Sequence, residues 1–313
     1  MIKIPRVKSK DLLSVTDFSK EEIISIFELS KKLKDELKQG KINSYLKGKT
    51  LGMIFEKTST RTRVSFEVAM FQLGGYALFL SRDDIQLGRG ETVADTAKVL
   101  SRYLDGIMIR CYAHETAIEL AQNSTIPVIN GLTDMFHPCQ ALADFFTIYE
   151  SNRNFKNVKL AFVGDGNNVA QSLMLTAAML GVDFALACPK GYYPKKEVVE
   201  QAFSIASKSG SVITLTSDIA LAVENATHLY TDVWVSMGQE KEASRRKKDF
   251  AKYKITKKIL DKCAPDCKVM HCLPAHRGEE ITDDVIDSPQ SIVLDQAENR
   301  MHVQKAILCT LMK

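Results

Sequence analysis

Apolar positions along the chain follow two periods, one helical and one of short continuous runs. Residues 19–40 keep an apolar stripe at helical spacing. The stretch opens with Ser19-Lys20-Glu21-Glu22, a capping box in which Glu22 reaches back to Ser19, and stops at Gly40. After it, apolar runs alternate with amphipathic stretches. Strands are predicted at 50–55, 76–80, 106–109 and 127–129, with helices at 62–73, 91–103 and 114–122 between them. A long helix over about 137–150 leads into a second alternating set, with strands at 158–163, 184–187, 212–215, 228–230 and 268–271 and a last helix over about 295–311. Alternating strands and helices make βαβ units, whose strands are parallel and covered on both faces. The expected fold class is therefore α/β, in two domains, each a parallel β-sheet flanked by helices. The domains are expected at 1–148 and 149–294, hinged near 137–155, with the terminal helix (about 295–313) packing back on the first.

Composition narrows the class without deciding it. A chain of 313 residues has room for two cores, and 45% apolar with 26% charged residues is the balance of a soluble globular protein. The net charge of +4 comes from scattered, mixed charges, so no nucleic-acid partner is expected. The densest basic run, 245–248, lies among Glu240, Glu242 and Asp249 and reads as a solvated helix face. No apolar run nears the ~20 residues that cross a bilayer, and the first ten residues lack the apolar core of a secretory leader. No membrane partner is expected, and the expected location is the cytoplasm. Seven cysteines, an odd number, suit reduced thiols, and Cys263 with Cys267 lack the second pair of a structural zinc site.

In open parallel sheets ligands bind at the carboxyl ends of the strands, and the polar clusters fall there. Strand 50–55 runs into Glu56-Lys57-Thr58-Ser59-Thr60-Arg61-Thr62-Arg63, where hydroxyls, backbone N–H groups, a helix dipole and guanidinium groups would meet a phosphate. Read alone, the segment suits a phosphate better than it suits the alternative, a basic, capped helix start. Gly48-Lys49-Thr50 resembles the end of a Walker loop, but it precedes its strand and residue 43 is Asn, not Gly. Arg110 ends strand 106–109. His137 and Gln140, in His137-Pro138-Cys139-Gln140, share a helix face and offer a donor and an acceptor suited to an amide. Gly164-Asp165-Gly166-Asn167-Asn168-Val169 has valine at the third glycine of a dinucleotide loop, which disfavours NAD and with it an oxidoreductase. Asp232, with Ser236-Met237-Gly238 after it, could hold an ammonium group or simply form a turn. Cys272 follows strand 268–271, as a contacting thiol or an inert buried one.

Taken in order, Ser59-Thr60-Arg61-Thr62-Arg63, His137-Pro138-Cys139-Gln140, Asp232 with Ser236-Met237-Gly238, and His271-Cys272-Leu273-Pro274 resemble the signatures of the aspartate/ornithine carbamoyltransferase family, and of its ornithine branch, over nearly the whole chain. The resemblance implies transfer of a carbamoyl group from carbamoyl phosphate to the δ-amine of L-ornithine, with no metal and no organic cofactor, in an active-site crevice between the two domains. A sister enzyme using putrescine or aspartate is the alternative. It implies that Ser59, Thr60, Arg61, Thr62, Arg110, His137, Pro138, Cys139, Gln140, Cys272, Leu273 and Arg300 bind carbamoyl phosphate, with Arg110, His137 and Cys272 catalytic. Asn168, Asp232, Ser236 and Met237 would bind ornithine. Gln86, in Asp84-Ile85-Gln86-Leu87-Gly88, matches a loop that reaches a neighbouring subunit's carbamoyl-phosphate site, which implies a homotrimer or a multiple of one. Cys111 and Cys139 stand where glycine and threonine are frequent in the family.

Overall fold

The capping box and the alternating apolar runs are both realised in the computed structural model, which describes residues 4–41, 43–86, 90–236 and 238–313. The Ser19 N–H donates to Glu22 at 2.7 Å and the Glu22 N–H to the Ser19 hydroxyl at 3.2 Å, starting α1 (Lys20–Lys38). There follow β1 (Thr50–Phe55), α2 (Thr60–Gln72), β2 (Tyr76–Ser81), α3 (Val93–Tyr103), β3 (Gly106–Arg110), α4 (His114–Asn123), β4 (Val128–Leu132) and α5 (Pro138–Asn152). The second set is β5 (Lys159–Val163), α6 (Asn168–Leu180), β6 (Asp183–Ala187), α7 (Lys196–Ser209), β7 (Ile213–Thr216), α8 (Ile219–Val223), β8 (His228–Thr231), α9 (Ala243–Phe250), α10 (Lys257–Leu260), β9 (Lys268–His271), α11 (Asp283–Ile286) and α12 (Val293–Met312). One unit comprises Met1–Phe146 with Glu298–Lys313, the other Thr147–Ala297.

Each unit is built on one sheet, and every pairing is parallel. The first sheet has the order β2-β1-β3-β4 and the second β7-β6-β5-β8-β9. In both, the chain winds one way from its first strand and then returns to the other side of it. The order therefore reverses between β1 and β3, and between β5 and β8. Loops diverge at such a reversal and leave room for a ligand beyond the carboxyl ends of the two strands. Phe55 and Arg110 are paired at the end of β1 and β3. The β3–β4 register also slips at the end of β3, where Ile109 pairs with Asn130 and Arg110 with Leu132, so the extra residue, Gly131, lies on β4.

The cores follow from the apolar runs. In the first unit Ile54, Ile107, Ile109 and Val128 of the sheet pack with Ala97, Ala117 and Leu120 of α3 and α4, all fully buried. Each large aliphatic side chain so buried contributes roughly 1.5–3 kcal/mol. In the second, α6 is buried over nearly its whole length, which explains why its sequence reads as apolar without a polar face. Gly166 is required ahead of it, since a Cβ there would lie 2.5 Å from both the Pro194 nitrogen and the Tyr192 carbonyl oxygen.

One expectation fails. The basic run 245–248 is not uniformly a solvated face, because the helical period sets Arg246 and Phe250 on the inward side of α9. Arg246 is 4% exposed, ion-paired with Asp165, and its Nε donates to the Trp234 carbonyl at 2.6 Å. Arg245, Lys247 and Lys248 remain exposed, as expected. Among the described residues, no helix is long and apolar enough to cross a membrane.

Candidate active site

In the first unit, the switch point between β1 and β3 is surrounded by cations. Ser59 caps α2 by accepting from the Thr62 N–H at 3.2 Å, which turns the positive end of the helix toward the strand ends. The Thr62 hydroxyl, fully buried, then accepts from two guanidinium groups, Arg300 Nη2 at 3.0 Å and Arg110 Nη1 at 3.5 Å. Both arginines are almost wholly buried, Arg110 at 5% and Arg300 at 4% exposure. Among the described residues, the buried Nε of Arg61 has no hydrogen-bond partner. A buried guanidinium nitrogen without a partner, as at Arg61, is costly unless an anion completes it. Lys57 adds a further cation, 4.2 Å over the Tyr112 ring. Burial, and then Arg110, lower its pKa. Lys57 lines a cavity of about 540 Å³ together with Ser59, Thr60, Arg63, Arg82 and Tyr112.

His137 and Gln140 belong to the same unit. Pro138 is the first residue of α5, where its missing N–H costs nothing. Burial, followed by the charges of Arg300, Arg110 and Arg61, holds His137 well below the ordinary histidine value. It is therefore a neutral imidazole that can donate a proton in a hydrogen bond without adding charge. Gln140 donates through Nε2 to Asp144 at 2.8 Å, which fixes its amide and leaves the buried Oε1 without a partner among the described residues. An unsatisfied acceptor of that kind suits an N–H₂ group. The Cys139 thiol points elsewhere, to the Asn130 carbonyl at 3.5 Å, and burial pushes its pKa up to about 12. Any contact from Cys139 to a ligand would have to come from its backbone.

The second unit gathers the opposite chemistry at the β5/β8 switch point. Asn167 caps α6, its Oδ1 accepting from the Val169 and Ala170 N–H groups at 3.0 Å, so its Nδ2 is left to donate to Asp232 at 2.8 Å. The other Asp232 oxygen accepts from the Val233 N–H at 2.8 Å and from the Cys272 thiol at 3.0 Å. Asp232 is 7% exposed. Beside it lies Asp165, whose carboxyl is raised to about 6 by burial against the pull of its partner Arg246. A buried, amide-braced carboxylate presents acceptors for an ammonium group.

The residues expected from sequence are thus divided between two clusters. Ser59, Thr60, Arg61, Thr62, Arg110, His137, Pro138, Cys139, Gln140 and Arg300 belong to the first unit. Asn168, Asp232, Ser236, Cys272 and Leu273 belong to the second. Ser236 is half-buried in the loop after β8, its N–H donating to Gln239 at 3.0 Å. Gln86 is exposed in the segment after β2, and Met237 lies outside the described residues. Sequence reasoning gives no separate role to Lys57, Asp144, Asn167 or the Arg246–Asp165 pair. Of these, Asn167 carries a readable signal, an Asn directly before an apolar helix. Two groups of possible metal donors also occur, Asp232 with His271 and Cys272, and His276 with Glu279 and Glu280. Both His271 ring nitrogens are already engaged, by the Leu273 N–H at 2.9 Å and by Glu280 at 3.1 Å.

Comparison with known proteins also divides the chain in two, with 298–311, which pack in the first unit here, falling in the second matched segment. Residues 10–150 match the family model described as the aspartate/ornithine carbamoyltransferase carbamoyl-P binding domain, and residues 156–311 its Asp/Orn binding domain. A protein of Oceanobacillus iheyensis named ornithine carbamoyltransferase is 56% identical over 98% of this chain and 95% of its own length. The solved ornithine carbamoyltransferase of Pyrococcus furiosus superposes with a TM-score of 0.95 at 54% identity, covering 99% of both chains. The anabolic ornithine carbamoyltransferase of Campylobacter jejuni gives 0.91 at 43% identity, covering 97% of this chain and 99% of that one. With both domain models matched and relatives of more than half identity along nearly its full length, the chain belongs to the aspartate/ornithine carbamoyltransferase family.

Proposed function

We propose that the chain transfers the carbamoyl group of carbamoyl phosphate to the δ-amine of L-ornithine, releasing L-citrulline and phosphate, a step of arginine biosynthesis. The observation that carries this reading is the convergence of Arg110 and Arg300 on Thr62 at the start of α2, beside a neutral His137. Ser59, Thr60, Arg61, Thr62 and Arg300 hold the phosphate, while Arg110, His137 and the Gln140 oxygen take the carbamoyl group. The ornithine amine, once deprotonated, attacks the carbonyl carbon. The oxygen of the tetrahedral intermediate becomes negative and is stabilised by Arg110 and the His137 N–H. As the C–O bond to phosphate breaks, the extra proton on the attacking nitrogen passes to the departing phosphate oxygen, and the resulting hydrogen-phosphate dianion stays with Arg61 and the helix N-terminus. Asp232, with Asn168, Ser236 and Met237, holds the amino-acid end of ornithine, and Cys272 and Leu273 border the reacting carbon.

Ornithine is favoured over aspartate because the buried Asp232 carboxylate offers acceptors to an ammonium group and would repel a second substrate carboxylate. A panel of ornithine, putrescine and aspartate, each with carbamoyl phosphate, tests this. Turnover is expected with ornithine above the other two, and faster turnover of either rival would overturn it.

The working assembly is a homotrimer or a multiple of trimers, in the cytoplasm. Supporting it, α2 and the edge strand β2 leave Phe71 and Tyr76 at 81% and 64% exposure, an apolar edge that a neighbouring subunit would cover. The Gln86 segment follows directly on that strand and would supply Gln86 to the neighbour's carbamoyl-phosphate site. Light scattering is expected to give a mass divisible by three chains; a monomer or dimer would contradict it.

A further inference from the structure

His271 closes β9 with both ring nitrogens committed. Its Nδ1 accepts from the Leu273 N–H at 2.9 Å. A backbone N–H can only donate, so Nδ1 is the bare nitrogen and Nε2 carries the proton. That proton is donated to Glu280 Oε1 at 3.1 Å, and the two side chains are completely shielded from solvent. The same Glu280 oxygen accepts the His276 N–H at 2.6 Å. One carboxylate oxygen therefore grips the segment 271–276 at both ends. From behind, the His271 N–H donates to Gln296 at 3.0 Å, and Gln296 in turn donates to the Tyr230 hydroxyl at 3.0 Å.

What this network holds is an unfavourable backbone. Leu273 sits at φ 56°, a left-handed conformation that residues with a Cβ rarely adopt. A conformation of that kind persists only where surrounding contacts over-determine it. Immediately before it, the Cys272 thiol is placed on Asp232 at 3.0 Å. Were stability alone at stake, an apolar pair filling the same space would serve at least as well as a buried His–Glu pair.

We propose that Glu280 and His271 are positioning residues: Glu280 fixes the His271 tautomer, His271 holds Leu273 in its left-handed conformation, and together they set Cys272 against Asp232. The catalytic consequence rests on the carbamoyl-transfer reading above. The geometric consequence does not. Neither residue touches a reacting atom.

The test compares two near-isosteric variants in the full-length protein. Glu280→Gln keeps an oxygen that can accept from both His271 and His276, whereas Glu280→Met fills the space without an acceptor. With Glu280→Gln, kcat and the ornithine KM are expected to stay within about threefold of the parent, since both hydrogen bonds survive. With Glu280→Met, kcat/KM for ornithine is expected to fall roughly 10- to 100-fold, the loss of hydrogen bonds to a charged acceptor. Inorganic phosphate binding, read by calorimetry, should be unchanged in both. The second readout needs no turnover: iodoacetamide labelling of Cys272, followed by peptide mass spectrometry, should be several-fold faster in Glu280→Met than in the parent or Glu280→Gln. His271→Phe, which also removes the acceptor for Leu273, should behave as Glu280→Met does. Parent-like labelling and kinetics in Glu280→Met would overturn the proposal, as would equal damage in Glu280→Gln and Glu280→Met. A parent protein that forms no citrulline would sink the carbamoyl-transfer reading, while the labelling comparison would still decide the clamp.

Discussion

Replacing Arg110 by methionine is expected to lower kcat for citrulline formation roughly 10²- to 10³-fold, the usual cost of removing one preorganised donor from a developing oxyanion. Methionine fills the space of the buried arginine, and an unchanged circular dichroism spectrum and melting temperature would separate a loss of catalysis from a loss of fold. At the end of β3 this side chain donates to Thr62, and its charge helps keep His137 neutral. In the variant one of those charges is gone, so the His137 pKa should rise toward its ordinary value. Single-turnover quench measurements with saturating substrates separate the chemical step from binding. A parent-like single-turnover rate would remove Arg110 from the catalytic assignment.

Asp232→Asn is expected to lower kcat/KM for ornithine roughly 10- to 100-fold, in keeping with hydrogen bonds to a charged group being worth about 1.5–3 kcal/mol. Two effects add. The carboxylate charge that would face the ammonium group is lost. In addition, Asn167 cannot adapt, because its Oδ1 caps α6 and its Nδ2 would then face a second N–H₂ group in one of the two orientations of the introduced amide. The KM for carbamoyl phosphate should change far less, since its proposed phosphate ligands are in the other unit. Initial-rate kinetics with each substrate varied in turn distinguish the cases. An equal loss for both substrates would mean that Asp232 supports the fold and not ornithine.

Much of the architecture is readable because it is written in local period. The Ser19–Glu22 box is two hydrogen bonds within four residues, and the strands at 50–55 and 268–271 are short apolar runs between polar ends. The anion-binding character of 59–63 is readable for the same reason, since a cap and a helix start are local. Side chains whose meaning depends on distant partners are not. Arg300 donates to a hydroxyl 238 residues away, and Arg246 pairs with an aspartate 81 residues away. No periodicity announces either contact. Arg300 enters only through family resemblance, and Arg246 reads as one more exposed cation in a basic run. Its inward turn follows from sharing a helix face with Phe250, a pattern visible in 243–250 but too short to separate from a charged surface helix. His271 stands out as part of a motif, but its work depends on Glu280, nine residues on and across a loop.

If the cationic cluster around Thr62 and the carboxylate cluster around Asp232 serve one reaction, carbamoyl phosphate and ornithine suffice as its substrates. The most direct test measures citrulline and phosphate together as the purified protein acts on those two compounds alone. Equal amounts of both products, with rates that saturate in each substrate and vanish without ornithine, are predicted. Phosphate release without matching citrulline, or a rate indifferent to ornithine, would contradict it.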